Sequence, residues 1–281
     1  MVRLGRDPLR IGDYEFLWGS RTYVMGIINV TPDSFSGDGL LSVEAVLERA
    51  RAMERDGADL LDVGAESTRP ETWSAPGLSE SEEMGRLIPA VEAICRAVRI
   101  PLSVDTYKAS VARRAVAAGA RIINDVFGLR RDPRMAATVA ELGTPLIVMH
   151  NGTVPQGTDL LQGIAAGLGE SIRLATDAGI GADRILIDPG IGFGKDRDGN
   201  LEIVRRLSEL AGFGNPLLVG PSRKSFIGKT LDLPVDDRLE GTAAIVALCI
   251  AAGADMVRVH DVRSMVRVAR MTDAVVRGQA S

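Results

Sequence analysis

The sequence predicts an α/β fold, a (β/α)8 barrel preceded by a short N-terminal β-hairpin. Eight short β-rich runs recur along the chain, stretches of helical periodicity separate them, and several of those stretches end in a Gly-Ala step. Strand and helix alternate throughout, the pattern of βα modules around a parallel sheet. No composition break divides residues 1–281, so a single domain is expected.

LRIGDYEFLWG, within residues 1–22, reads as the hairpin, with Gly12-Asp13 as its turn, and is expected to plug the bottom of the barrel. The eight runs follow in order: YVMGIINV, DLLDVGAES, IPLSVDT, RIINDVFG, PLIVMHN, ILIDPGIGF, PLLVGPS and DMVRVHD. ILI and PLLV are continuously apolar, as parallel strands covered on both faces should be. SVEAVLERARAMERDGA and KASVARRAVAAGA carry apolar residues at three and four spacing with charges opposite, the mark of surface helices. In DGADL, AGARI and AGADM a glycine supplies the left-handed residue that ends a helix before the next strand. Eight modules favour a closed barrel over an open sheet, although closure itself is not visible in sequence.

Composition narrows the function. Thirty-three basic against 37 acidic residues leave a net charge of −4, which speaks against a nucleic-acid or membrane-surface binder. Cys95 and Cys249 sit in apolar helical patterns and read as buried structural thiols, so a cytoplasmic, disulfide-free protein is expected. No stretch reaches the roughly 18 apolar residues of a membrane span.

In such a barrel the chemistry gathers at the C-terminal ends of the strands. The first run ends in Asn29 and the loop NVTPDSFS, the second in Glu66, Ser67, Thr68 and Arg69, the third in Asp105, and the fourth in Asn124 and Asp125. The fifth ends in Met149, His150 and Asn151, the sixth in Asp188 and Phe193, the seventh in Ser222, Arg223 and Lys224, and the eighth in Arg258, His260 and Asp261. Taken singly, several have a plain alternative: Asp105, Ser222 or Asp261 as helix N-caps, Asp125 as a turn residue.

Asp105 and Asp188 are expected to point inward near the mouth, where with Asn124 they suit a flat heterocycle presenting several N–H donors. Phe193 and Met149 are placed to wall its faces. Lys224, Arg258 and His260 are expected together at the other end of the cavity, beside a helix N-terminus, to hold phosphate or diphosphate. Asn29 offers a hard oxygen suited to Mg2+ beside phosphate oxygens, and Thr31, Ser34 and Ser36 offer hydroxyls to a diphosphate.

Taken together, NVTPDSFSGDG, DVGAESTRP, SVDT, INDV, MHNGT, DPGIGFGK, GPSRKSF and RVHDV resemble the dihydropteroate synthase family over Tyr23 to Val262. The resemblance implies a TIM barrel, usually a homodimer. It implies condensation of 6-hydroxymethyl-7,8-dihydropterin diphosphate with 4-aminobenzoate, giving 7,8-dihydropteroate and diphosphate, with Mg2+. It places Asn29 at the metal, Thr68 and Arg69 on a second mobile loop, and Asp105, Asn124 and Asp188 on the pterin. Lys224 falls beside the pterin, the run Arg258-Val259-His260 at its stacking and diphosphate positions, and Ser222, Phe35 and Pro70 around 4-aminobenzoate. Asp105, Lys224, Arg258 and His260 are the expected catalytic groups. Glu71-Thr72-Trp73, where many members have glycine after STRP, and SFSGDGL depart from the common pattern. A corrinoid-dependent methyltransferase, a silent pterin-binding paralogue and a barrel enzyme with another diphosphate substrate are the rival readings.

Overall fold

In the computed structural model, which describes residues 6–30, 43–66 and 77–278, Leu9–Ile11 (β1) and Tyr14–Phe16 (β2) pair antiparallel across Gly12. Gly12 has φ +59°, the left-handed turn geometry that a glycine adopts without steric cost. The barrel strands are Tyr23–Asn29 (β3), Leu60–Gly64 (β4), Leu102–Asp105 (β5), Ile122–Asp125 (β6), Leu146–Met149 (β7), Ile185–Asp188 (β8), Leu218–Val219 (β9) and Met256–Val259 (β10). They pair in the order β8-β7-β6-β5-β4-β3-β10-β9. An isolated parallel bridge, Ile187 to Leu217, closes the ring between β8 and the approach to β9.

The intervening helices are Val43–Arg55 (α1), Glu80–Ala97 (α2), Ala109–Ala117 (α3), Met135–Leu142 (α4), Leu160–Asp177 (α5), Arg197–Arg206 (α6), Ser225–Leu231 (α7), Leu239–Ala251 (α8) and Val262–Arg277 (α9). Gly57, Gly119 and Gly253 have φ of +96°, +117° and +103°, so the Gly-Ala steps do end helices as left-handed residues. Ser79 caps α2 through a reciprocal pair with Glu82, satisfying two otherwise orphaned groups.

Alternation along each strand divides the core in two. Outward residues such as Leu61, Val63, Val104, Ile123, Val148, Ile187 and Val257 pack under the helices. Inward residues at the N-terminal ends, Met25, Leu60, Ile122, Ile147, Leu186, Leu218 and Met256, form a separate cluster with Leu9, Ile11, Phe16, Trp18 and Tyr23. The hairpin therefore plugs the bottom of the barrel. Arg6 holds this extension down with two bonds to the buried carboxylate of Asp255, at 2.7 and 2.5 Å. Cys95 and Cys249 are free thiols. Among the described residues no helix is long and apolar enough to cross a membrane.

Candidate active site

One step further along the same inward faces, the lumen turns polar. Asp62, Asp105, Asn124 and Asp188 are all buried on strands β4, β5, β6 and β8, and Arg258 reaches them from β10. Arg258 donates from Nε to Asp62 Oδ2 at 2.6 Å and from Nη2 to Asp105 Oδ2 at 3.1 Å. Asn124 donates from Nδ2 to the same Asp62 oxygen at 3.1 Å, which commits its amide nitrogen and keeps its oxygen as an acceptor. Gly64 makes room for this layer, since a Cβ there would come within 3.2 Å of Asp105 Cβ.

Asp188 Oδ1 accepts the Gly190 N–H at 2.7 Å. Met149 and Phe193 form a small apolar cluster with Val126 and Phe127, and Lys224 Nζ lies 3.8 Å from the centre of the Phe193 ring. Gly192 permits that approach, because a Cβ would meet the Lys224 stem at 2.6 Å. Ser222 Oγ lies 3.0 Å from His260 Nδ1 and accepts the His260 backbone N–H at 3.2 Å. Asn29 sits half-buried at the end of β3.

Three expectations change. The cations were expected at one end of the cavity; instead Arg258 lies between two carboxylates, because a buried guanidinium needs buried counter-charges. His260 is not a standing cation: burial, with the charges of Arg258, Arg223 and Arg49, lowers its imidazole to about 3. The Val259 side chain cannot line the lumen, since strand alternation turns it outward into the helix-packed core.

The cap alternatives also resolve. Asp125 is a turn residue, accepting the N–H groups of Phe127 and Leu129 at 2.8 and 2.9 Å, whereas Asp105 faces the lumen. Asp261 pairs with Arg223 rather than capping α9. Glu66 accepts from Lys108 at 2.5 Å and from Tyr107 at 3.2 Å, outside the acceptor layer. His150, the other strand-tip histidine, packs against Gly167 of α5. Thr31, Ser34, Phe35, Ser36, Thr68, Arg69 and Pro70 lie outside the described residues.

Asp62 is the residue that the strand-tip reading passed over. A lone carboxylate inside the apolar run DLLDVG is the available signal, since a buried charge must find a partner. Asp62 Oδ1 and Asp105 Oδ1 are buried without a hydrogen-bond partner among the described residues. The site is an array of acceptors with donors still to be supplied, which is what a ligand rich in N–H groups provides.

Residues 25–260 match the family of pterin binding enzymes. The chain belongs to the pterin-binding enzyme family. It is 49% identical to dihydropteroate synthase of Bacillus subtilis over 256 residues, 91% of this chain and 89% of that one. Among solved structures it is similar to dihydropteroate synthase from Clostridium difficile in the presence of pteroic acid, with 44% identity and a TM-score of 0.88 over 92% of this chain and 98% of that chain. The enzyme from Xanthomonas albilineans with 4-aminobenzoic acid gives 43% identity and a TM-score of 0.85, covering 91% and 93%.

A pterin-binding enzyme has to hold carboxylates in a dry cavity, and the electrostatics of this one record the cost. Burial raises the Asp105 carboxyl, and Asp62 raises it further while Arg258 opposes both. Burial also raises Asp188, to about 6, against the Gly190 N–H and the charges of Lys224, Lys195 and Arg258. Burial alone would lower the Arg258 guanidinium, but Asp62 and Asp105 outweigh it and the net shift is upward. Arg258 therefore stays charged and is shared between two carboxylates, with the shorter bond to Asp62.

Proposed function

We infer that this pterin-binding enzyme is a dihydropteroate synthase, a transferase of folate synthesis. It joins 6-hydroxymethyl-7,8-dihydropterin diphosphate to 4-aminobenzoate, giving 7,8-dihydropteroate and diphosphate. The observation that carries the reading is the buried layer of Asp105, Asn124 and Asp188, acceptors matched to an aminopyrimidine edge, with Asp105 Oδ1 lacking a hydrogen-bond partner among the described residues, in a chain with the relatives named above.

In this reading Asp188 and the Asn124 oxygen accept pterin N–H groups, while Met149 and Phe193 wall the ring. Arg258, released in part from Asp105, stacks on the pterin and turns toward the departing diphosphate. The bond from the pterin methylene to oxygen breaks with its electron pair leaving on diphosphate, and Asp105 stabilises the positive charge left on the pterin. The amine lone pair of 4-aminobenzoate forms the new C–N bond, and the amine then gives up its proton. Ser222 and the start of α7 face the aminobenzoate carboxylate. His260 donates as a neutral imidazole, because Ser222 can donate to Nδ1 and leave Nε2 protonated. Thr68, Arg69, Phe35 and Pro70, which lie outside the described residues, keep the substrate-binding roles that the family resemblance implies.

The carboxamide of Asn29 is a hard oxygen donor, and no cluster of three His, Cys, Asp or Glu forms a closed cage among the described residues. That donor set fits Mg2+ entering with the diphosphate and keeping most of its water. Held there by the Asn29 carboxamide, Mg2+ would supply positive charge beside the leaving group. A homodimer is part of the proposal: beyond Glu240 in its first turn α8 carries no charged residue, and Leu248, Met271 and Val275 on α8 and α9 are 56%, 66% and 72% exposed. A cytoplasmic setting accords with two free thiols.

The test is diphosphate release from purified protein supplied with the dihydropterin diphosphate and Mg2+, with and without 4-aminobenzoate, following dihydropteroate in parallel. The expected result is equal amounts of both products, dependent on 4-aminobenzoate. Tight pterin binding without dihydropteroate would overturn the assignment in favour of a silent paralogue or a methyltransferase.

A further inference from the structure

Lys195, in the turn between β8 and α6, has no part in the reaction as described, yet it is half-buried and fully hydrogen-bonded. Its three ammonium protons go to three backbone carbonyls, His150 at 3.0 Å, Pro189 at 3.1 Å and Gly190 at 3.1 Å. None of these partners is a carboxylate, so the hydrogen bonds come from neutral dipoles, and Asp188 is the negative charge that faces the ammonium. The same three residues frame Asp188: the His150 N–H donates to the Asp188 carbonyl at 2.9 Å, and the Gly190 N–H donates to its Oδ1. The packing leaves no slack, since Gly190 has φ +73° and a Cβ there would fall 2.0 Å from the His150 oxygen. A flexible lysine stem and a full ammonium charge are an expensive way to satisfy carbonyls.

We propose that Lys195 is a positioning residue for the pterin site: it ties the Asp188-Pro189-Gly190 turn to the end of β7 and, beside Lys224 and Arg258, is one of the positive charges that face the Asp188 carboxylate. This rests on Asp188 being a pterin acceptor.

The surroundings fit the role. Asp188 is faced by Lys224 from the turn after β9, Arg258 from β10 and Lys195, and it in turn acts on Cys249 of α8. Lys195 is faced by Asp188, Lys224 and Arg130, and His150 by Lys195 and Arg130. Burial holds His150 near about 3 and pushes the Cys249 thiol to about 12, so neither titrates between pH 5 and 8. Burial lowers Lys195 to about 7, so its charge is present below neutrality, where Asp188, raised to about 6, needs it. An acceptor that protonates can no longer take both pterin N–H groups, so losing the Lys195 charge moves the acid limb of binding to higher pH.

The experiment measures the Kd of 6-hydroxymethylpterin by fluorescence from pH 5 to 8.5 for the wild type, Lys195→Gln, Lys195→Arg and Asp188→Asn, which needs neither metal nor turnover. Glutamine keeps two donors and removes the charge; arginine keeps the charge. The expected result is an acid limb moved up by about one pH unit in Lys195→Gln, about fivefold weaker binding at pH 6 that converges with wild type by pH 8.5, and a limb left in place by Lys195→Arg. A folded Lys195→Gln with an unmoved limb would overturn the inference. Wild-type binding by Asp188→Asn would instead remove Asp188 from the pterin site and take the underlying reading with it. If Lys195→Gln does not fold, the coupling can be read in reverse, since removing the Asp188 charge must lower the Lys195 pKa by as much as Lys195 lowers that of Asp188. A Lys195 ammonium whose 15N titration is the same in Asp188→Asn as in wild type overturns the proposal by that route.

Discussion

The two ends of the barrel are built from the same strands and do opposite work. On β4, Leu60 and Asp62 share the inward face two residues apart, as do Ile122 and Asn124 on β6, Leu186 and Asp188 on β8, and Met256 and Arg258 on β10. The lower member of each pair is packed against the N-terminal plug, where the rings of Phe16, Trp18 and Tyr23, the last at the start of β3, contact one another at centroid distances of 4.9–5.7 Å. The upper member is a charge or an amide in a layer that leaves Asp62 Oδ1 and Asp105 Oδ1 unsatisfied. A side chain at the bottom contributes burial, and one at the mouth holds an expensive polar group ready for a ligand. The closed end is what allows the open end to be under-satisfied and still hold its shape.

The sharpest way to break this division is at Asp105. Asp105→Asn keeps the shape and removes the charge, so kcat should fall on the order of 10² to 10³-fold, as when a single electrostatic stabiliser is lost. The melting temperature should hold or rise, because the carboxylate is buried with one oxygen unpaired. Steady-state kinetics beside calorimetry measure both, and near-normal turnover would remove Asp105 from the mechanism.

A paired test on β4 follows. Leu60→Ala should cost about 2–5 kcal/mol of stability through the cavity it leaves, with kcat per folded molecule unchanged. Asp62→Asn, two residues on, should cost about 1–3 kcal/mol by removing one counter-charge of the buried Arg258, and should raise the KM for the pterin substrate by about tenfold, as Arg258 and Asn124 lose their shared anchor. It should also move the Asp105 limb of the pH profile to lower pH, because the Asp62 charge helps burial to raise Asp105. Denaturant melts and pterin KM across pH read the two effects separately. If Leu60→Ala proved as damaging to kcat as Asp62→Asn, the two ends would not be independent.

Much of this architecture was legible because periodicity reports burial directly. The eight apolar runs are the eight barrel strands, the Gly-Ala steps end helices where expected, and Gly12 turns the hairpin. The polar strand tips identified the mouth. What stayed hidden depends on which way a residue faces and on distance across the ring. Asp62 lies inside an apolar run rather than at a tip, and its partner Arg258 is 196 residues away, so no local pattern joins them. Val259 and Asp125 sit among site residues in sequence but point outward by alternation. The charge state of His260 follows from burial and neighbouring arginines that only the folded chain assembles.

His260 supplies the smallest and most discriminating comparison, because its charge state decides whether the mouth owes its pH response to a base or to acids. With its imidazole lowered to about 3, it is neutral from pH 5 upward in the free enzyme, so it cannot create a limb near the ordinary histidine range. An acid limb of kcat/KM in that region has to come from the raised carboxyls of Asp105 and Asp188, which must be ionised to act. Activity should therefore be lost as pH falls through their pKa values. His260→Asn removes a neutral donor beside Ser222 and should lower kcat/KM by about tenfold while leaving the position of that limb where it is. A limb that vanished with the imidazole would make His260 the titrating group. The carboxylate layer would then keep its place in binding and lose its place in the pH response.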